Sequence, residues 1–388
     1  MRFIENYDYR ISSNDPNAVG SLGATGRVDP NLLPMKQHEM VFGSDFALKP
    51  TLGLEVRYSR KRLDRTIEDA GLLTADGEQY YIVNPGMSIN KFIPSTECTT
   101  CPANPKAVRN YDGVEARLTY KGTGKWFGAL SYTYSRYYGN YAGLTSTDQS
   151  DSNLGGGRNG ANSDRAFDEP YMSYNAAGVP INGPLSTDRP HTFKAYGYYR
   201  LKWWKMETLI GGFQQWYSGT PLSSYVSVWG APVFVENRGK WADVTTDGAG
   251  NWVLNGFSSK RTPVFSQTDF NLVHEMHVSK SNERLVAGFE VNVTNVFNQH
   301  SVVDINSNLI ANSGGSEIHP ADCSRAGISC LPTDVAGFDF KTLLSGYNFI
   351  TEANSPLNDS PIIKNAQYGL PYLWQTPRTM RFKFKFTF

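Results

Sequence analysis

Apolar and polar residues alternate along several separated stretches of this chain. A period of two is that of a β-strand whose two faces meet different surroundings. In residues 38–48, Met40, Phe42, Phe46 and Leu48 fall on one face, and Glu39, Gly43, Asp45 and Ala47 on the other. Lys49-Pro50 predicts a tight turn, after which Leu52, Leu54, Val56 and Tyr58 oppose Gly53, Glu55, Arg57 and Ser59. The pattern returns with Val114, Ala116, Leu118 and Tyr120 against Glu115, Arg117, Thr119 and Lys121. Beyond a Gly-Thr-Gly-Lys turn at 122–125, Trp126, Gly128, Leu130, Tyr132 and Tyr134 alternate with Ala129, Ser131, Thr133 and Ser135. Glycine at two turn positions supplies the positive φ of a short hairpin.

A third pair, with weaker alternation, covers residues 191–201 and 206–219. Its turn, Lys202-Trp203-Trp204-Lys205, has the aromatic and basic residues of a membrane interface. A fourth pair covers residues 267–278 and 284–297. The last strand stands alone: Met380, Phe382, Phe384, Phe386 and Phe388 alternate with Arg381, Lys383, Lys385 and Thr387. A soluble protein would not leave such an apolar stripe open to water.

Nine strands are thus predicted. Short turns join strands within a pair, and long segments join the pairs, at about residues 63–111, 139–190, 220–266 and 298–377. Outer-membrane barrels show this asymmetry, with short periplasmic turns and long extracellular loops. The fold class is all-β, a transmembrane antiparallel barrel. The final strand would end at Phe388 in the periplasm, so residues 1–35 would belong to an extracellular loop. Bacterial single-chain barrels have even strand numbers, so an odd nine predicts a partial barrel.

Composition agrees. Charged residues are 19% of the chain, below the ~25% of soluble domains, and aromatics are 13%. The mean hydropathy of −0.42 is nevertheless polar, and no apolar run reaches the ~18 residues of a membrane helix. In a barrel only alternate residues face lipid, which reconciles the two facts. With 37 basic and 36 acidic residues, nothing favours nucleic acid. Residues 1–6 lack the basic and apolar regions of a secretory leader. An exported protein needs one, so the chain is expected to lack its true start.

The segments that end strands carry a resemblance. Residues 289–298, Phe-Glu-Val-Asn-Val-Thr-Asn-Val-Phe-Asn, resemble the penultimate strand of the TonB-dependent outer-membrane transporters, and Pro377 to Phe388 resembles their last. Within that family, Asp29-Pro-Asn-Leu-Leu-Pro-Met-Lys-Gln-His-Glu39 and Leu63-Asp-Arg-Thr-Ile-Glu-Asp69 are similar to segments of the Oar-like subgroup, the latter placed just outside a strand. The resemblance implies a 22-stranded barrel with an N-terminal plug, so that about thirteen strands and the plug would be missing. It implies uptake of a scarce ligand, such as an iron chelate, vitamin B12, a saccharide or a peptide. The implied partners are the TonB complex, acting through the plug, and outer-membrane lipid. The barrel-assembly machinery would read Met380, Phe382, Phe384, Phe386 and Phe388. A structural or adhesive surface barrel and a passive porin-like channel are the competing functions.

Other motifs yield to simpler readings. Cys98-Thr-Thr-Cys101 and the pair Cys323 and Cys330 could form a zinc site or a redox centre. Their place in predicted extracellular loops favours two local disulfides. Residues 155–160, Gly-Gly-Gly-Arg-Asn-Gly, lack the strand and helix of a dinucleotide site and read as a loop. His274 and His277 would point to opposite faces of a strand and cannot share a metal. Tyr137, Tyr138, Tyr141, Trp216 and Tyr225 are candidate ligand contacts near the outer rim, with an interfacial aromatic girdle as the alternative. Glu55, Arg57, Glu115 and Arg117 are expected to form lumenal networks that contact the plug. No catalytic constellation, cofactor site or metal site stands out, so no enzyme is expected.

Overall fold

In the computed structural model the described residues are 27–74, 77–87, 104–122, 124–143, 167, 173–175, 179–228, 231–278, 285–310, 350, 354 and 363–388. Nine long strands form the main sheet: β1 (Lys36–Lys49), β2 (Leu52–Arg65), β3 (Arg109–Lys121), β4 (Trp126–Gly139), β5 (His191–Trp203), β6 (Met206–Tyr217), β7 (Phe265–His277), β8 (Val286–Thr294) and β9 (Thr379–Thr387). Each pairs antiparallel with the next in sequence, and Gly183–Pro184 adds a short rung to the end of β4. Strands of this length suit a membrane span, which takes ~9–11 tilted residues. The nine observed strands coincide with the nine expected from alternation. The third pair, weakly patterned in sequence, keeps an unbroken register from Met206↔Trp203 to Tyr217↔Thr192.

Burial along the sheet is the reverse of that in a water-soluble protein. Phe42, Tyr134, Phe382 and Phe384 are 60%, 54%, 60% and 80% exposed. All lie on one continuous face, because the register sets Met40, Phe42 and Phe46 beside Arg60, Tyr58 and Leu54, and Val291 and Phe289 beside Phe382 and Phe384. Phenylalanine on a solvent-exposed face is tolerated only where the solvent is lipid. The opposite face carries the charged and amide side chains.

Two details differ from the sequence reading. Residues 63–65 belong to β2, which runs on to Arg65, and β3 begins at Arg109. Above the apolar band both faces are polar, so the ladder continues where the alternation stops. β8 ends at Thr294 rather than near 297 because Asn295 (φ 55°) and Asn298 (φ 52°) adopt the left-handed conformation, which asparagine tolerates better than most residues.

The long connections at one end of the sheet pack into a canopy with its own core. Beside β2 to β4, the ribbon Glu68–Thr74/Gly77–Val83 helps to bury Leu63, Ala70, Val83, Ala107, Tyr141 and Phe167 together. The connections that follow β6 and β8 form three more ribbons: Tyr225–Val228/Ala231–Phe234, Trp241–Thr246/Trp252–Ser258 and Val302–Ile305/Pro371–Trp374. They are laced to each other. The Tyr225 N–H donates to Ser307 O at 3.1 Å, and the Leu309 N–H donates back to Tyr225 O at 3.0 Å. Asn354 brackets Trp252, accepting from its N–H at 3.0 Å and donating to its C=O at 2.6 Å.

Candidate functional site

The polar face of the sheet is a network. Glu55 pairs with Arg57 on the same strand, and Glu39 with Lys61 at 3.0 Å across β1 and β2. Arg117 donates to the Tyr196 hydroxyl at 2.8 Å. Glu207 forms ion pairs with Arg200 at 2.9 Å and with Lys202 at 3.5 Å. Further round, the Asn271 amide donates to Asn292 Oδ1 at 2.6 Å, Asn292 donates to Glu290 at 2.7 Å, and Lys383 stands 3.7 Å from the same carboxylate. Glu55, Arg57, Glu115 and Arg117 all lie on this face, with Glu115 opposite Arg57. Partly exposed pairs of this kind contribute little stability each. Their consequence is a wettable wall of mixed charge.

At the long-connection end of the sheet a polar clasp joins β7, β8 and β9. The fully buried Asn295 side chain donates to Gln299 O at 2.8 Å and to Thr376 O at 3.0 Å. Its Oδ1 accepts from the Gln299 N–H at 2.7 Å, and its own N–H donates to Asp269 at 2.8 Å. Asn298 Oδ1 accepts from the Arg378 N–H at 2.9 Å, one residue before β9. The two asparagines of the Thr-Asn-Val-Phe-Asn run therefore anchor the chain that leads into the last strand.

The canopy holds a pocket of about 510 Å³ between the Trp241–Ser258 ribbon and the returning segment at Tyr368. Its wall combines Trp241 and Tyr368 with Asp243, Asn255, Lys260 and Arg261. The two rings stack at 4.4 Å, and the Lys260 ammonium sits 5.4 Å from the Trp241 ring centre. Asp243 accepts from Lys260 at 2.7 Å, and this bond holds its carboxyl below the usual carboxylate value. Arg261 is tied to the buried Asp188 at 2.6 Å. The Tyr368 hydroxyl donates to Ala242 O at 2.8 Å and also meets Ser224. Burial pushes its pKa well above the ordinary phenol value.

The five aromatic candidates are not brought together. Tyr141 and Tyr225 are buried, Tyr141 against Phe167 and Tyr225 in the canopy core. Trp216 lies on the apolar face of β6, in register with Phe193. Tyr138 also faces the apolar side, under the Arg136 guanidinium at 4.6 Å. Tyr137 alone points to the polar face, edge-on to Tyr111 at 6.3 Å. Sequence reasoning missed Trp241 and Tyr368, which lie 127 residues apart and have no motif in common. Cys98, Cys101, Cys323, Cys330 and residues 155–160 lie outside the described residues. His274 contacts Thr208 at 2.8 Å on the apolar face, while His277 has the opposite parity at the strand end. Among the described residues no cluster of His, Cys, Asp and Glu has the makings of a metal site.

No protein-family model matches the chain. It is 27% identical over 377 residues to the TonB-dependent transporter Oar of Myxococcus xanthus, an alignment that covers 95% of this chain and 30% of that protein. Among solved structures, FpvA of P. aeruginosa in its complex with a heterologous pyoverdine and iron overlaps 70% of this chain and 24% of its own, with 14% identity and a TM-score of 0.31. The similarity to Oar covers 95% of a chain whose nine-stranded sheet has an exposed apolar face and a networked polar face. The chain is thus homologous, along 95% of its length, to part of a TonB-dependent outer-membrane transporter of the Oar type, and its main sheet is of the β-barrel kind.

Proposed function

We propose that this chain forms part of the wall and mouth of a barrel that takes up a scarce ligand with energy delivered through TonB. The observation that carries this reading is homology to a TonB-dependent transporter along 95% of the chain. The fold supports it. On this reading the mixed-charge face lines the lumen, where it can dock a plug by exchanging hydrogen bonds without burying apolar surface. The long connections are extracellular and the short turns periplasmic. The chain spans 30% of its relative's length. The last strand, Met380 to Phe388, is the recognition end for the barrel-assembly machinery. Tyr137 and the canopy pocket at Trp241 and Tyr368 are the first ligand contacts to examine.

The test is uptake by cells with and without the gene. A panel of iron chelates, cobalamin, oligosaccharides and peptides is supplied at limiting concentration. Accumulation of at least one compound should depend on the gene and stop when the proton-motive force is collapsed. Gene-dependent accumulation that survives the collapse would indicate a passive channel. Unchanged accumulation of the whole panel, with altered cell adhesion, would indicate a surface barrel.

A further inference from the structure

The apolar face does not end the same way around the sheet. On β5, β6 and β7 the row at its long-connection edge is Phe193, Trp216 and Ser266, which follows from the pairings Trp216↔Phe193 and Trp216↔Ser266. Across β2, β3 and β4 the same face ends in rows that carry arginine. Above the row Tyr58↔Val114↔Tyr134 comes the row Arg60↔Asp112↔Arg136, and above that Arg62↔Asn110↔Tyr138. No bulge interrupts these ladders, so the arginines share the face of Leu54, Val56 and Leu130. Arg60 lies eight residues beyond Leu52, where β2 leaves the short turn. At ~3.3 Å per residue and a tilt of 35–45° this is roughly 20 Å up. That height is near the top of an apolar band about 25 Å tall.

The cluster carries three arginines and one aspartate, a formal charge of +2. Asp112 is already well supplied. It accepts from the Tyr58 hydroxyl at 2.7 Å and from Arg62 at 2.5 Å. Arg62 is further spent on the carbonyls of Lys61 and Tyr111, at 2.8 and 2.9 Å. Arg60 reaches Asp112 only at 4.0 Å, with half of its side chain exposed. Arg136 is exposed, makes no ion pair among the described residues, and lies over the Tyr138 ring, 4.6 Å from its centre. Two guanidinium groups thus hold free donor edges at the outer margin of the lipid-facing surface, braced by tyrosines. Planar, five-donor guanidinium groups match phosphate oxygens. A tyrosine body suits the boundary between acyl chain and headgroup.

We propose that Arg60 and Arg136 form a phosphate-binding site for an outer-leaflet phosphoglycolipid. The lipid is held against the outside of the barrel between β2 and β4. This inference rests on the proposed orientation, with the long connections outside the cell.

The experiment uses the full-length protein in outer membranes. Wild type and the double variant R60Q/R136Q are extracted mildly. Bound lipid is counted by native mass spectrometry and by titration with diphosphoryl lipid A. Arg62 is left intact because its carbonyl bonds support the strand ends. Retention of the folded band in unboiled gel electrophoresis verifies folding, and R60K/R136K keeps the charge. The expected results are an about tenfold weaker lipid A affinity for R60Q/R136Q, partial retention by R60K/R136K, and no binding of the dephosphorylated glycolipid. Equal binding by wild type and R60Q/R136Q overturns the proposal. So does displacement of the lipid by inorganic phosphate at equal concentration, which would make the source a free anion. A short epitope inserted at Gly248 in the canopy separates the two readings. Antibody binding to intact cells together with unchanged lipid binding sinks the lipid site alone. Binding only after permeabilisation sinks the orientation, and the site with it.

Discussion

The wall and the canopy solve opposite problems with the same residues. In the wall, Phe382 and Phe384 are 60% and 80% exposed and the charged side chains face one another. In the canopy, Trp241 is 4% exposed and Tyr225 fully buried, as in any protein dissolved in water. The wall uses lipid to satisfy its apolar face and needs hydrogen bonds only along its ladders. The canopy stands in water and has to enclose its own apolar side chains. It does so by lacing ribbons from two long connections, as the 102-residue separation of Trp252 and Asn354 shows. A substitution should therefore act through packing in the canopy and through solvation in the wall.

The sharpest break in this comparison is Trp241→Ala. Loss of a buried indole stacked on Tyr368 should cost about 3–5 kcal/mol of local stability. Limited proteolysis should cut the canopy while the barrel keeps its folded mobility in unboiled gel electrophoresis. Loss of both together would show that wall and canopy are one cooperative unit. The converse is Leu130→Arg, a charge near mid-depth on the lipid face, expected to cost about 2–4 kcal/mol. Urea unfolding in lipid vesicles measures it. A cost as small as that of a rim substitution would mean that this face does not meet lipid.

The clasp joins the two regions, and its breakage should be intermediate. Asn295→Ala removes the side-chain bonds to Gln299 and Thr376 and puts a β-carbon residue at φ 55°. The expected loss is about 1–3 kcal/mol. Asn295→Gly relieves the backbone but not the hydrogen bonds, so it should recover only part of that loss. Full recovery would assign the role to conformation alone. Deletion of Phe388, at the other end of the same strand, should lower outer-membrane levels of the full-length protein. Normal levels on an immunoblot would remove its assembly role.

The smallest effects concern pH and are confined to the canopy. Asp243 has a lowered pKa when folded, chiefly through its bond from Lys260. Its contribution is complete above the unfolded value of 3.8 and is lost as pH falls through the lower folded value. Asp247 follows the same sign, held down first by the backbone N–H of Asn251. Tyr368 has the opposite one. Its raised pKa favours the folded canopy at any pH below the unfolded value of 10.0, and that support fades in stronger alkali. Canopy proteolysis should thus rise slightly below about pH 4. Lys260→Met should flatten the acid limb, and an unchanged acid limb would remove Asp243 as its source.

The wall was legible because its two faces meet different solvents at every second residue, so alternation along Leu52–Tyr58 or Met380–Phe388 is written locally. Where both faces are wet the signal fades, and the extension of β2 to Arg65 went unseen. The canopy left no such trace. Tyr141 and Tyr225 read as surface aromatics, yet Tyr141 packs on Phe167 and Tyr225 bonds to Ser307 and Leu309. Trp241 and Tyr368 carried no local sign of a shared pocket, since their meeting depends on two connections folding over one another.

Residue by residue, the sequence determined the strands, their apolar faces, the membrane-type fold and the family resemblance, because a period of two and a strand-end motif are local properties. The tertiary structure alone decided which side chains stand at the rim. Strand register put Arg60 and Arg136 side by side across Asp112, and long-range hydrogen bonds built the canopy pocket. Neither arrangement is encoded in neighbouring residues: each arises only when segments distant in the chain share one ladder or one core.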